Sequence, residues 1–442
     1  MEMSTPTDAS IQESPLELLE FEGDIDPDFD IPHQAEILII SNDQSYLTHG
    51  IHKFPAKFFP ELPRYLIRKY SEIGNIVLDP MCGSGTTILE AIINNRVGIG
   101  IDIDPIARLV TKVKTTPINS DVLVCAARDL TKQIQEFKND ARFHPKIPEF
   151  YYRDNWFRPF VLQELAIIKE SIEALFVVRP EDTEWLHIRD FFRVVFSSII
   201  RDVSNADPHC TRTVLRKKVV KKIEPGDTYK RFSETLFHQC DSMVELFNTS
   251  KSLESINVRL PDGDAINTGL ETDSIDLAVT SPPYINAVDY PRTHQLEMYW
   301  LGLLGEGPLS HVKRKYIGTE TVYKEEYHTM KTSGYDTLDP ILDEIYKSDP
   351  RRSFIVYKFF EDMRLQLEEI HRILKPGHRY CLTIGNNLIR GIEVRSDLIL
   401  SEIATSIGFE LENSFFSRLI RHFIRIPRPE RMMGEWILVL QK

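Results

Sequence analysis

The chain has 442 residues, 42% hydrophobic and 27% charged, a balance that excludes low-complexity and collagen-like chains and allows about two to three globular domains. Its net charge of −13 is uneven: residues 1–32 hold ten Asp or Glu and no Lys or Arg, so the remainder carries only about −3 and can present a basic face. Five scattered cysteines without CxxC spacing exclude a disulfide framework and a zinc ribbon and point to a reducing, cytoplasmic compartment; neither a signal-peptide pattern nor an apolar run of about 18 residues occurs, so no membrane partner is expected.

In chain order, residues 1–35 read as an acidic, disordered tail, because they lack core-forming periodicity. Glu36 to Ser41 (EILIIS) is a short strand. The segment His49 to Pro60 (HGIHKFPAKFFP) is a proline-punctuated loop, dense in cationic and aromatic residues, that feeds a helix from Pro60 to Tyr70. Ile76 to Pro80 is a buried strand, followed by the turn Met81-Cys82-Gly83-Ser84-Gly85-Thr86-Thr87 and a helix beginning at Ile88. Strand, glycine-rich turn and helix start bring free N–H groups and a positive dipole end to one cleft. No Lys follows the glycines, so the turn is not a phosphate loop. A second strand, Arg96 to Ile101, ends in Asp102, a carboxylate placed to take the two hydroxyls of a ribose. Asp104-Pro105 then opens another helix.

Residues 115–256 interrupt this alternation with three helical periodicities, over Phe160 to Leu175, Trp185 to Ile199 and Phe232 to Phe247. Between the last two lies the densest basic run of the chain, with Arg212, Arg216, Lys217, Lys218, Lys221 and Lys222, read as a phosphate-contact surface. The strand–helix pattern resumes at Asn257. Asp262-Gly263-Asp264-Ala265 closes a third strand, and Ile275 to Val279 is a fourth, running into Ser281-Pro282-Pro283-Tyr284. Two prolines that lack N–H donors stiffen this corner and free its carbonyls beside a hydroxyl and an aromatic ring. Gly302 to Pro350 reads as a long polar arm; a helix from Phe354 to Leu374, a strand from Tyr380, a helix to Ile407 and two last strands follow. A second basic cluster, Arg418, Arg421, His422, Arg425, Arg428 and Arg431, separates those strands.

This alternation, with its motifs, resembles the class I methyltransferases that use S-adenosylmethionine, and among them the DNA amino-methyltransferases. Asp79 to Thr87 matches their DPxxGxG(T/S)T pattern, Ser281 to Tyr284 their (D/N/S)PP(Y/F/W) motif, and His49 to Pro60 the H-x-(Y/F)-P-A-K-F-x-P segment of members bearing SPPY. The resemblance spans residues 45–115 and 257–442. It implies a seven-stranded Rossmann-like α/β sheet with a large helical insert, divided as a cofactor half (36–114), an insert for target recognition (115–256) and a catalytic half (257–442). It also implies a cofactor set of Phe54, Pro55, Lys57, Asp79, Met81, Cys82, Gly83, Ser84, Gly85, Thr86, Thr87, Asp102, Ile103, Asp264 and Ala265, with no metal. Ser281 and the Pro282 carbonyl would accept from the exocyclic amino group of a flipped base, Pro283 would stiffen the corner, and Tyr284 would stack on that base.

Two features depart from the usual pattern. The cofactor motifs precede SPPY, and the insert falls between the second and third strands. Sequence readout is open among 115–255, 302–350, or both. The expected activity is site-specific methylation of cytosine N4 in double-stranded DNA within a restriction–modification or related defence system, any endonuclease being a separate protein. The lean to cytosine rests on Ser281; adenine N6 is the alternative, and an RNA base methyltransferase or a catalytically silent DNA-binding protein ranks below both. No Pro-Cys dipeptide is present, which counts against cytosine carbon-5 chemistry.

Overall fold

The computed structural model describes residues 18–41, 43–177, 182–216, 221–285, 288–304, 309–418 and 433–442. Its strands are β1 Leu18–Glu22, β2 Glu36–Ile40, β3 Ile76–Asp79, β4 Val97–Gly100, β5 Val258–Arg259, β6 Ile275–Thr280, β7 Leu374–Ile384, β8 Asn387–Ile389, β9 Ile392–Val394, β10 Glu410–Arg418 and β11 Gly434–Gln441. Nine of them form one sheet in the order β1-β2-β10-β11-β7-β6-β3-β4-β5, and β8 with β9 forms a separate hairpin. Without the two N-terminal strands, the remaining seven lie third, second, first, fourth, fifth, seventh, sixth in chain order. Only β11 runs antiparallel to its neighbours. This is the class I methyltransferase topology, as expected, extended by β1 and β2.

The strands most enclosed by neighbours read as continuous apolar runs because both faces of the sheet are covered. All six residues of β6 are buried. One face carries the helices Thr86–Ile93 and Pro105–Lys114. The insert helices Ser120–Asn139, Pro159–Phe176, Thr183–Val203 and Asp227–Ser250 continue the same apolar core, in which Leu89, Ile106 and Val110 meet Leu123, Leu165, Phe192 and Met243. The insert therefore has no separate core. Ser120–Asn139 lacked a clear signal in the sequence, since its buried positions are few (Leu123, Ala126, Ala127, Leu130) and small residues supply half of them. On the opposite face Asp339–Ser348, Pro350–Ile373 and Ser396–Ile407 pack over Leu78, Ala278 and Tyr380.

The expectation of disorder through residue 35 is corrected over its described part. Leu18–Glu22 pairs parallel with β2, and Ile25 and Ile31 are buried against the helix Glu61–Tyr70. The acidic residues of this leader meet that helix's basic side chains: Asp24 pairs with Arg64 and Arg68, and Lys69 bonds to Asp30 at 2.5 Å. A composition that reads as solvated is held by charge complementarity with a neighbour far along the chain. Residues 1–17 lie outside the described residues. No described helix is long and apolar enough to cross a membrane.

Candidate active site

The order of strands reverses between β3 and β6, which are hydrogen-bonded neighbours, and such a switch point is where open α/β sheets bind ligands. The two motif-bearing strand ends meet there. Thr280, the last residue of β6, donates its hydroxyl to Asp79 Oδ1 at 2.6 Å, and the Met81 N–H donates to the same oxygen at 3.1 Å. Gly83 and Gly85 carry the turn with φ of +49° and +75°. A side chain on Gly85 would have its Cβ 2.7 Å from Thr111, and one on Gly83 would press on the Phe54 ring, so both positions need glycine for space as well as for conformation.

Around this turn runs a cleft of about 960 Å³, open to solvent. Phe54, Lys57, Asp79, Met81, Cys82, Gly83, Ser84, Thr86, Thr87, Asp102, Ile103, Asp264, Ala265, Ser281 and Pro283 line it, which brings most of the expected site together. Pro55, Gly85, Pro282 and Tyr284 lie outside the lining. Asp102 accepts from the N–H groups of Gly83 and Asp104, each at 2.8 Å. Burial, with Asp104 adding like charge, pushes its carboxyl up to about 7; burial likewise raises Asp79 to about 6 against the hydrogen bond from Thr280. Burial also pushes the Cys82 thiol well up, so it is a packing residue rather than a nucleophile.

The loop that carries Phe54 and Lys57 is held by a buried carboxylate. Glu90, on the helix Thr86–Ile93, bonds to His49 Nε2 at 2.8 Å, Arg64 Nε at 2.8 Å and the Tyr46 hydroxyl. Burial lowers His49 to about 4, so its ring is neutral and donates its N–H, and Arg64 supplies the counter-charge. Lys57 donates to the carbonyls of Gln44 and His49 at 3.0 and 3.1 Å and reaches the cleft.

Several lining residues had no motif to mark them. Tyr290 stacks on Phe54 with ring centroids 5.8 Å apart. Tyr316, Ile317 and Asp362 come from the polar arm and the helix Pro350–Ile373. Gly318 brings the arm against the corner, since a Cβ there would stand 3.2 Å from the Tyr284 carbonyl oxygen. His294, buried, bonds through Nδ1 to Asp104 Oδ2 at 3.3 Å and anchors the segment that follows the corner. At the corner itself Ser281 Oγ and the Tyr284 hydroxyl are 3.3 Å apart, and Glu435 at the start of β11 faces that hydroxyl.

The basic loop is only partly free. Arg216 pairs with the buried Asp207 at 3.0 Å. Lys221 donates to the Arg201 carbonyl at 2.8 Å, at the end of the helix Thr183–Val203, and burial lowers it to about 8. In the free protein the loop's own helix end and acidic neighbour already engage these two side chains. Arg212 and Lys222 are exposed, and Lys217 and Lys218 lie outside the described residues. Also outside them are Arg421, His422, Arg425, Arg428 and Arg431 of the second cluster. The loop is tied to the cleft side of the molecule: Thr213 donates to the Thr293 carbonyl at 2.7 Å, next to His294.

Residues 34–112 match a family model described as DNA methylase, of the N6/N4 type. The chain is 24% identical to the Type II methyltransferase M.MvaI of Kocuria varians over 86% of each chain. It is also 24% identical to the Type II methyltransferase M.BsoBI of Geobacillus stearothermophilus, over 82% of this chain and 78% of that one. A third relative, M.AvaI of Nostoc sp., is 29% identical over 43% of this chain and 40% of its own. With both motifs meeting at the switch point of a class I sheet, the matched segment and these relatives support an S-adenosylmethionine-dependent amino-methyltransferase of the N4-cytosine/N6-adenine type.

Proposed function

We propose that this protein methylates the exocyclic N4 amino group of cytosine at a specific sequence in double-stranded DNA, as the modification arm of a restriction–modification or related defence system. The observation that carries the reading is the juxtaposition of Ser281 and Pro283 with the glycine-rich turn in one cleft. The cleft residues fit the cofactor: Asp102 offers acceptors to ribose hydroxyls, and Thr86 lines the pocket with a buried hydroxyl that lacks a partner among the described residues. When bound, S-adenosylmethionine supplies a methyl group activated by a positive sulfur.

An aryl amine is a poor nucleophile because its lone pair is delocalised into the ring. Ser281 Oγ and the Pro282 carbonyl, held at a stiff corner, accept hydrogen bonds from the two amino N–H groups and draw the nitrogen towards sp³ geometry. Most of the remaining advantage is orientation. Asp102 and the turn hold the donor side, and the exposed Arg212 and Lys222 are available to DNA phosphates. Unpairing and flipping of the base precede the transfer.

The test is tritium transfer from S-adenosylmethionine to duplex DNA, followed by nucleoside mass spectrometry. N4-methylcytosine is the expected product, and N6-methyladenine would reassign the base. Ser281→Ala should lower transfer by about 100-fold or more while cofactor binding is kept. Normal cofactor binding with no incorporation into DNA of any sequence would refute the reading.

A further inference from the structure

Asp79, Asp102, Asp104, Asp264 and Asp362 line the cleft, together with Lys57 and with Ser84 and Thr86 at the start of the helix Thr86–Ile93. Behind Ser84 lies Lys114, the last residue of the helix Pro105–Lys114. Its side chain is fully buried, and its Nζ lies within hydrogen-bond distance of Ser84 Oγ, at 3.3 Å. Among the described residues no carboxylate stands within ion-pair distance of it. The acid in its surroundings, Glu90, is already engaged by Arg64, His49 and Tyr46.

A buried ammonium with one hydroxyl for a partner is poorly accommodated, and such a lysine is stable only neutral or beside an anion. The groups that face Lys114 are Lys57, Cys82, Glu90 and Ser84. Burial, with Lys57 adding like charge, drives its ammonium well below the ordinary lysine range. The helix start in front of it carries the positive end of the helix dipole and the unpartnered Thr86 hydroxyl. Among the described residues neither the Lys114 side chain nor the Thr86 hydroxyl at this end of the cleft has a carboxylate partner.

We propose that Lys114 is a positioning residue for the carboxylate of the cofactor's amino-acid tail, acting through Ser84, and that it takes up a proton when that carboxylate binds. This rests on the reading of the cleft as the S-adenosylmethionine site. Lys114 stays out of the cleft lining. An ammonium has donors only, so it donates to Ser84 Oγ, and the Ser84 hydroxyl proton is turned outward to the ligand. The proton comes from solvent and forms an N–H bond on the amine lone pair; no other bond changes.

Calorimetric titration of S-adenosylmethionine into the full chain, at pH 7.5 in buffers of different ionisation enthalpy, counts the protons taken up. Wild type should take up about one more proton per ligand than Lys114→Met. Lys114→Met, and separately Ser84→Ala, should weaken S-adenosylmethionine by about 10–100-fold. Lys114→Met should bind decarboxylated S-adenosylmethionine as wild type does, and Ser84→Ala should lose less affinity for it than for S-adenosylmethionine. Equal proton uptake by wild type and Lys114→Met overturns the proposal, as does an equal loss of affinity for the two ligands. Ser84→Ala bears on it even if Lys114→Met does not fold. Wild type that binds the decarboxylated compound but not S-adenosylmethionine overturns it as well, whereas failure to bind either removes the reading beneath it.

Discussion

Asp102 should make the protein less stable than it would be with a neutral amide, and Asp102→Asn tests this. Its carboxyl titrates at about 7, against an ordinary value of 3.8. A tenfold change in acid strength is worth ~1.4 kcal/mol, so ionising it in the folded chain costs up to ~4 kcal/mol at pH 8, and about 2–3 kcal/mol once its partial solvent contact is allowed for. The folded carboxyl is the weaker acid, so the folded state holds a proton that the unfolded state gives up. Its contribution to stability is full below about pH 4 and is lost as pH rises through about 7. Asparagine removes that cost but can accept only one of the two N–H groups, from Gly83 and Asp104, a loss of ~1–2 kcal/mol. Without cofactor, Asp102→Asn should be more stable than wild type by ~1 kcal/mol at pH 8 and should lose that advantage at pH 5. For a chain of this size the change is roughly 1 °C in Tm per kcal/mol, within reach of paired thermal melts. S-adenosylmethionine affinity should fall by about 10–100-fold, because the amide is a weaker acceptor for ribose hydroxyls. A variant less stable than wild type at pH 8, or a Tm difference that does not change with pH, would refute the reasoning.

Glu90→Gln should lower stability by ~2–4 kcal/mol, since it removes the buried one of the two counter-charges of Arg64; thermal melts check the size, and cofactor titration should show weaker binding as the loop of Phe54 and Lys57 loosens. Arg212→Glu with Lys222→Glu should weaken DNA binding and reduce the slope of log affinity against log salt by up to ~2, whereas Arg216→Ala should leave the slope unchanged because Asp207 already holds that side chain. Fluorescence anisotropy at several salt concentrations separates the two, and equal slopes in all three proteins would reject Arg212 and Lys222 as phosphate contacts.

Local chemistry was the readable part of this chain. The glycines at 83 and 85, the Asp at each of two strand ends and the two prolines after Ser281 are each demanded by conformation within a few residues, so they stand out as motifs. Alternation of apolar strands and amphipathic helices likewise predicts the class of fold, because it reflects which face each element buries. Whatever depends on which residues lie opposite was set by the packing of distant segments. The acidic leader is ordered because Arg64, Arg68 and Lys69 happen to face Asp24 and Asp30. Lys221 is withdrawn from solvent because a helix end needs its donors. Glu90, Lys114, Tyr290 and Tyr316 belong to no local pattern, since their partners are brought in by strand order and loop packing. The two halves of the site are each written in a few consecutive residues. That they share one cleft follows from the pairing of β3 with β6, a contact between strands some 200 residues apart that Thr280 and Asp79 seal with a single hydrogen bond.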